Sequence, residues 1–299
     1  MIVLDAGARV TQVRFLPDGR LLVGTWAAGD ADLVILPLPS GPRVVIPFGV
    51  RQVWDAPNRV AVSPAGDRLY TTFGALQTHS TADGVVIPDG PSGPASQVIV
   101  SADGQHLISA YRDNNGDTAL TEHAADGRRV RHATYPHPQW KVLVGFLAGG
   151  DRYALVGNNE LIVERRGAGP GDEPVRVRYP SYHVNHPQVS PDGRHFAVIG
   201  YSAMYVYDAT EPEKKPRLIK GSSAFGNFVA FAFHPAGRTL AVIHGGPTLV
   251  KLYDLNTLTL RTKLNWKVGK LTCVAYSPDG QLAAVGTDDG RVVVWDADE

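Results

Sequence analysis

The stretch that decides the fold runs from Leu271 to Gly286 and reads LTCVAYSPDGQLAAVG. In it, an apolar strand enters a Ser-Pro-Asp-Gly turn and a second apolar strand leaves it. The glycine takes the positive φ that other residues resist. This unit recurs seven times along the chain, and its turns begin at Pro17, Pro64, Ala102, Ala148, Pro191, Pro235 and Pro278.

The spacing of these turns predicts the architecture. Successive turns lie 47, 38, 46, 43, 44 and 43 residues apart, and one seventh of the 299-residue chain is about 43. A repeat of about 40–45 residues is typical of a four-stranded propeller blade. Helical repeats of similar length are disfavoured, because 32 Gly and 22 Pro residues punctuate a chain without an amphipathic helix pattern. The prediction is an all-β fold: one domain, residues 1–299, forming a seven-bladed β-propeller of four-stranded antiparallel blades.

Each repeat is expected to hold three apolar strands and a more polar fourth strand at the outer edge. In the second repeat, the third strand is predicted at residues 85–88. The two chain ends complement each other: the last repeat stops after three strands, and residues 2–4 form a strand that belongs to no repeat. If residues 2–4 pair beside residues 292–295, the ring closes and its last open edge is covered. The N-terminal strand is therefore predicted to complete the last blade.

The last repeat resembles the WD40 repeat family at three places, which are Ser277-Pro278-Asp279-Gly280, Asp288-Asp289-Gly290 and Trp295-Asp296. Looser versions of the family's Trp-Asp pair occur at Tyr207-Asp208 and Tyr253-Asp254. The family's Gly-His would fall near Trp266-Lys267 and is missing there, so its buried His–Ser/Thr–Asp–Trp network is not expected in this blade. The resemblance implies a scaffold that assembles protein complexes.

Charge and cysteine content narrow the class of partner. Lys+Arg and Asp+Glu both number 29, whereas nucleic-acid binding usually needs a basic excess, so no nucleic-acid partner is expected. The sequence has no run of about eighteen apolar residues and no secretory signal, so no membrane partner is expected either. Cys273 is the one cysteine, which excludes an intrachain disulfide and fits a reducing compartment. A cytoplasmic protein is the resulting expectation.

Catalytic motifs are scarce. The sequence contains no Gly-x-Ser-x-Gly, Cys-x-x-Cys or His-Glu-x-x-His pattern. The glycine-rich run 167–171 opens no helix and is typical of a hairpin tip rather than a phosphate loop. No catalytic residue, metal or cofactor is therefore expected. An alternative is a metal-dependent hydrolase or lactonase-like propeller with an axial site, for which the candidate residues are His137, His183, His186 and Glu160.

Aromatic residues concentrate on one side of the predicted ring. In a propeller, the turns between second and third strands and the connections between blades share one face. Four of the five tryptophans map to this face. We predict that it binds a protein or peptide partner around the propeller axis, because aromatic side chains are enriched at interface hot spots. The predicted contact residues are Trp26, Trp54, Tyr111, Trp140, Tyr182, His183 and Trp266. The alternative is that these side chains pack between blades.

Overall fold

The computed structural model describes residues 1–299 except 29, 48–58, 74, 136–141, 158–159, 169–171, 179–183, 201, 222–227, 245–247 and 298–299. Within the described residues, 27 strands form seven antiparallel sheets and no helix is found. Each sheet is one blade. Six blades have four strands, and the second has three described strands.

The first four blades follow one another along the chain. The first blade contains β2 (Arg9–Phe15), β3 (Leu21–Ala27), β4 (Asp30–Leu36) and β5 (Val44–Pro47). The second contains β6 (Val60–Val62), β7 (Arg68–Thr72) and β8 (Leu76–Ser80). The third contains β9 (Gln97–Val100), β10 (His106–Arg112), β11 (Thr118–Ala124) and β12 (Arg129–Tyr135). The fourth contains β13 (Val142–Phe146), β14 (Arg152–Val156), β15 (Glu160–Arg165) and β16 (Val175–Arg178).

The remaining three blades complete the ring. The fifth contains β17 (Val184–Val189), β18 (His195–Gly200), β19 (Ala203–Asp208) and β20 (Arg217–Lys220). The sixth contains β21 (Phe228–Phe233), β22 (Thr239–His244), β23 (Val250–Asp254) and β24 (Leu260–Leu264). The seventh combines β25 (Leu271–Tyr276), β26 (Leu282–Thr287) and β27 (Arg291–Asp296) with the N-terminal strand β1 (Ile2–Asp5).

The ring is closed as predicted. Strand β1 pairs antiparallel with β27, and Val3 lies opposite Val293 in that register. Strand β2, the first strand after β1, contacts β25 of the seventh blade. First strands also contact each other elsewhere around the ring, for example β21 with β25 and β9 with β13, which places the first strand of each blade nearest the axis. The prediction of seven blades sealed by the N-terminal strand is confirmed.

The core is divided among the junctions between blades. Seven apolar clusters of buried residues each join two neighbouring blades. In the junction that closes the ring, Val10 and Val23 of the first blade pack with Ala284 and Val294 of the seventh. Blades stacked in this way bury both faces of their central strands, which explains the nearly continuous apolar runs in the sequence.

The turn after the first strand is held by side-chain hydrogen bonds, which explain why the same turn sequence recurs. Ser277 Oγ donates to Asp279 Oδ1 at 2.5 Å and accepts from the Leu282 amide at 2.9 Å. Gly280 has a φ of +76° and donates its amide to the Ser277 carbonyl. Ser101 and Ser190 make the same pair of bonds in the third and fifth blades. Such side-chain bonds favour a turn over a continued strand.

The prediction for the second blade is wrong in one respect. Its third strand is β8, Leu76–Ser80, and not residues 85–88. The later segment lies on the outer side of β8, where Val86 bridges to His79 and Gly93 bridges to Leu76. Residues 76–80 (LQTHS) are mostly polar whereas residues 85–88 (VVIP) are all apolar, so the hydrophobic pattern favoured the wrong segment. Antiparallel pairing with β7 determines that residues 76–80 form the third strand.

Candidate partner-binding face

The two sides of the ring differ in which loops they carry. Because strands alternate in direction within each blade, the connections between blades and the turns between second and third strands lie on one side. We call this side the entry face. It includes the hairpin at Ala28 between β3 and β4, the hairpin 113–117 between β10 and β11, and the connection 265–270 between β24 and β25.

Trp266 lies in the connection between the sixth and seventh blades. Its ring centre is 4.5 Å from that of Trp295, and it packs on the edge of the apolar cluster between these blades. The side chain is half-buried. One part of the Trp266 ring therefore packs in the junction between the blades, and another part is accessible at the surface.

Trp26 and Tyr111 occupy corresponding strand ends in the first and third blades. Trp26 is the penultimate residue of β3 and lies opposite Arg9 and Ala31. Tyr111 is the penultimate residue of β10 and lies opposite Ala119. Both side chains are half-buried, so both reach the entry face with part of their aromatic surface accessible. The other predicted contact residues, Trp54, Trp140, Tyr182 and His183, lie outside the described residues.

Two arginines on or beside the innermost strands were missed by the sequence analysis. Arg14 in β2 and Arg59, which precedes β6, are half-buried, and neither forms an ion pair with a carboxylate among the described residues. Desolvation lowers the pKa of both guanidinium groups. Arg59 Nε has no hydrogen-bond partner in the described structure, and its guanidinium carbon lies 5.9 Å from the ring centre of Phe73. This is the distance range of a cation–π contact. No sequence motif distinguishes these arginines from those in exposed strands.

His244 lies at the end of β22, on the side of the entry face, but it is 3% exposed. Its Nε2 is 2.7 Å from the Tyr253 hydroxyl, and its ring stacks on Phe228 with centres 4.7 Å apart. Burial lowers the pKa of His244 to about 4, and Lys251 adds to the effect. The imidazole is therefore neutral at pH 7 and belongs to the interior of the sixth blade.

Two of the four candidates for an axial metal site, His186 and Glu160, lie in the described part of the chain. Among the described residues, no group of three or more His, Cys, Asp or Glu side chains could hold a metal ion. The Glu160 carboxylate accepts a hydrogen bond from Arg176 at 3.1 Å. His186 lies in β17 with a φ of +49°, next to the register shift of that strand. His137 and His183 fall outside the described residues.

Comparison with known protein families identifies one repeat of this chain. Residues 259–296 match the family model described as WD domain, G-beta repeat. Over 80 residues the chain is 36% identical to the small ribosomal subunit protein RACK1y of Oryza sativa subsp. japonica, an alignment that covers 27% of this chain and 24% of that protein. Over 121 residues it is 25% identical to the target of rapamycin complex subunit LST8 of Mus musculus, covering 40% and 36% of the two chains. The chain thus spans well under two thirds of these relatives.

The fold is shared over its full extent with a solved structure. The β-propeller domain of Cps50 (Swd1) from Myceliophteria thermophila superposes with a TM-score of 0.70 over 97% of this chain and 96% of that one, at 15% identity. This likeness concerns the fold. The fold and the matched repeat together define the class: the chain is a seven-bladed β-propeller in which residues 259–296 match a WD40 repeat. No helix in the described part of the chain is long and apolar enough to cross a membrane.

Proposed function

We propose that this protein is a non-catalytic scaffold that holds a protein or peptide partner against its entry face. The observation that carries the proposal is that Trp26, Tyr111 and Trp266 each reach this face half-buried. Trp266 is anchored in a blade junction and has already lost most of its freedom, so covering its remaining surface costs little entropy. Large, rigid aromatic groups of this kind are enriched at binding hot spots.

Arg59, near the axis, supports an acidic segment in the partner. Arg59 precedes β6 at the entry-face end of that strand, is partly desolvated and has no carboxylate partner in the described structure. Arg14 lies opposite Leu22, near the other end of β2, and is not part of this contact. The free-energy cost of removing water from the Arg59 guanidinium is incurred when the protein folds. A carboxylate from the partner would therefore pair with it without adding that cost. The expected partner thus presents an aromatic-binding surface or loop next to at least one Asp or Glu side chain.

The names of the relatives agree with a role in assemblies. One is named as a small ribosomal subunit protein and another as a subunit of the target of rapamycin complex. By analogy, we infer that the present chain also works within a complex of several chains. The analogy supports assembly in general and identifies no particular partner.

The remaining predicted anchors belong to the same proposal. Trp54, Trp140, Tyr182 and His183 lie outside the described residues, and we propose them as further contacts of the same partner from their places in the sequence. We also infer that residues 1–299 act as one domain, because the ring closes only when the first and last strands belong to the same unit. A cytoplasmic location is proposed, in keeping with a single cysteine in the sequence, which excludes an intrachain disulfide.

The test compares two apolar positions on different parts of the ring. Trp26→Ala removes a half-buried ring from the entry face, and Leu218→Ala removes an exposed side chain from the outer strand β20. Proteins captured from the source cells by the wild-type chain are identified, and the affinity of the most abundant one is measured for each purified variant. We expect Trp26→Ala to weaken binding by about 2 kcal/mol, roughly thirtyfold, and Leu218→Ala to leave it unchanged.

Thermal unfolding of both variants provides the control for folding. Equal binding by wild type and Trp26→Ala, with both folded, would show that the partner docks elsewhere. A loss caused by Leu218→Ala alone would move the interface to the outer edge of the fifth blade.

A further inference from the structure

A polar cleft of about 340 Å³ lies at the junction of the second and third blades, away from the axis. Its wall on the second-blade side is the segment 92–94, and its other wall is one face of the third blade. The residues that line it are Ser92, Gly93, Pro94, Ser109, Tyr111, Thr121, His123, Gly127, Arg129 and His132. Its volume falls at the lower end of the range for small-molecule sites.

The cleft exists because this junction is incompletely filled by apolar side chains. Its buried apolar cluster is the smallest of the seven among the described residues. Ser109 stands eight residues after the turn residue Ser101, the place taken by Val285 in the seventh blade and Val242 in the sixth, both fully buried. The outer segment of the second blade is joined to β8 by isolated bridges rather than by a continuous strand, so it does not close the gap.

A β-bulge aims two basic side chains into this cleft. In a regular strand, residues three apart point to opposite faces. The register of β11 with β12 shifts between Glu122 and His123, so that His132 lies opposite Thr121 while Arg129 lies opposite His123. Arg129 and His132 consequently line the same cleft. Bulges of this type commonly redirect side chains at binding sites.

The polar groups in the cleft have unused hydrogen-bonding capacity. His132 Nδ1 is 3.2 Å from the Thr121 hydroxyl, and His123 Nδ1 is 3.4 Å from the Gly127 carbonyl. No described residue bonds the Nε2 atom of either ring, the Ser109 hydroxyl, the Tyr111 hydroxyl or the Arg129 guanidinium. Ser109 and His123 are 2% and 4% exposed, whereas Arg129 and His132 lie at the exposed rim. The unused donors thus extend from a buried floor to an open mouth.

The charge of the side chains that line the cleft favours an anionic ligand. The cleft is lined by one guanidinium, two imidazoles and three hydroxyl-bearing side chains besides Ser92, and by no carboxylate. Burial lowers the pKa of His123, and Arg129 lowers it further, so the ring is neutral; its one N–H is donated from Nδ1 to the Gly127 carbonyl, which leaves the donation to the ligand to the other polar groups. Several donors arranged around one cation fit an oxyanion with more than two oxygens better than a planar carboxylate.

We propose that this cleft binds a phosphomonoester, with Arg129 as the counter-charge and Ser109, Tyr111 and His132 as hydrogen-bond donors. The group can arrive on a small metabolite or on a phosphorylated serine of a protein, and both present the same dianion. This site is separate from the proposed partner contacts on the entry face, except that Tyr111 borders both.

The experiment measures saturable binding with defined probes. Purified protein labelled with carbon-13 in its histidine rings is titrated with inorganic phosphate, O-phosphoserine, unphosphorylated serine and acetate, and His123 and His132 are assigned from single His→Gln variants. We expect phosphate and O-phosphoserine to shift both rings saturably, and serine and acetate to leave them unchanged. A Gly-phosphoserine-Gly peptide then separates the two sources: tighter binding than O-phosphoserine indicates a protein ligand, and weaker binding indicates a small metabolite.

Two neighbouring arginines provide a matched control. Arg128 is exposed beside Asp126 and does not line the cleft, whereas Arg129 does. We expect Arg129→Gln to weaken phosphate binding by about tenfold or more, and Arg128→Gln to leave it unchanged. Ser109→Val, which places in the cleft the residue found in other blades, should also abolish binding while keeping the thermal stability. The proposal is overturned if no phosphate probe binds saturably, or if both arginine variants lose affinity equally.

Discussion

Gly286 lies within β26, a position where glycine usually weakens a strand because it has no side chain to pack. Here the neighbouring blade explains it. A Cβ atom on Gly286 would lie 2.2 Å from Val10 Cγ1 and 2.7 Å from Cys273 Sγ. Val10 is fully buried in the junction that closes the ring. At the scale of one residue, then, the missing side chain lets the first and last blades approach each other.

Gly286→Ala is predicted to destabilise the fold. The added methyl group overlaps a β-branched side chain that cannot rotate away, so the blades must move apart, at a cost of about 1–3 kcal/mol. Urea unfolding measures the change. Gly145→Ala in β13 is the matched control, because its nearest contact would be Val189 at 3.3 Å. A smaller loss for Gly286→Ala than for Gly145→Ala would contradict the close approach of the blades.

At the scale of the element, the blades show which local features a sequence encodes. The Ser-x-Asp-Gly turn can be predicted from sequence because its hydrogen bonds, such as those of Ser277 with Asp279 and Leu282, form within six residues. The third strand of the second blade cannot be predicted from local sequence in this way. Residues 76–80 and 85–88 both suit a strand, and the choice is made by pairing with β7. Likewise, the bulge at Glu122 and His123 carries no residue signature, so the shared orientation of Arg129 and His132 emerges only from the register.

The sixth blade contains a buried histidine that links its stability to pH. The unfolded chain protonates His244 with an ordinary pKa of 6.5, whereas in the folded protein burial lowers the pKa to about 4. Protons therefore bind the unfolded state more readily between these values. The stability conferred by the neutral ring is fully present above pH 6.5 and is lost as the pH falls from there towards 4.

We predict that His244→Gln reduces this pH dependence, because glutamine stays neutral throughout. The free energy of unfolding of the wild type should fall by about 2–3 kcal/mol more than that of His244→Gln between pH 7 and pH 4. Urea unfolding at several pH values gives the measurement. His132→Gln, a substitution at an exposed histidine, serves as control and should follow the wild type. Parallel curves for wild type and His244→Gln would show that His244 does not carry the effect.

At the scale of the whole molecule, the ring turns a set of local hairpins into a single surface. Seven junctions each depend on both neighbouring blades, so a break at one point exposes two apolar faces. The closure lies where the two chain ends meet, in the pairing of β1 with β27. The assignment of Trp26 and Trp266 to one face follows from this closed order. The period and the unmatched ends predicted this architecture from sequence, whereas the partial burial of Arg14 and Arg59 without a carboxylate among the described residues depends on how the blades pack.

Ring closure is tested most directly by a disulfide between β1 and β27. Val3 and Val293 lie directly opposite each other, and paired residues of antiparallel strands are separated by a distance that a disulfide can span. Cysteines are introduced at both positions in a Cys273→Ala background, and Val3→Cys with Val294→Cys serves as the out-of-register control. Mild oxidation is followed by mass spectrometry and by non-reducing electrophoresis.

The account predicts that the Val3–Val293 pair links within one molecule in most of the sample, leaves the β-sheet circular dichroism unchanged and raises the melting temperature. The out-of-register pair should link poorly, because its side chains point to opposite faces of the sheet. Absence of the link between positions 3 and 293, or its formation only between molecules, would contradict a ring closed by the N-terminal strand.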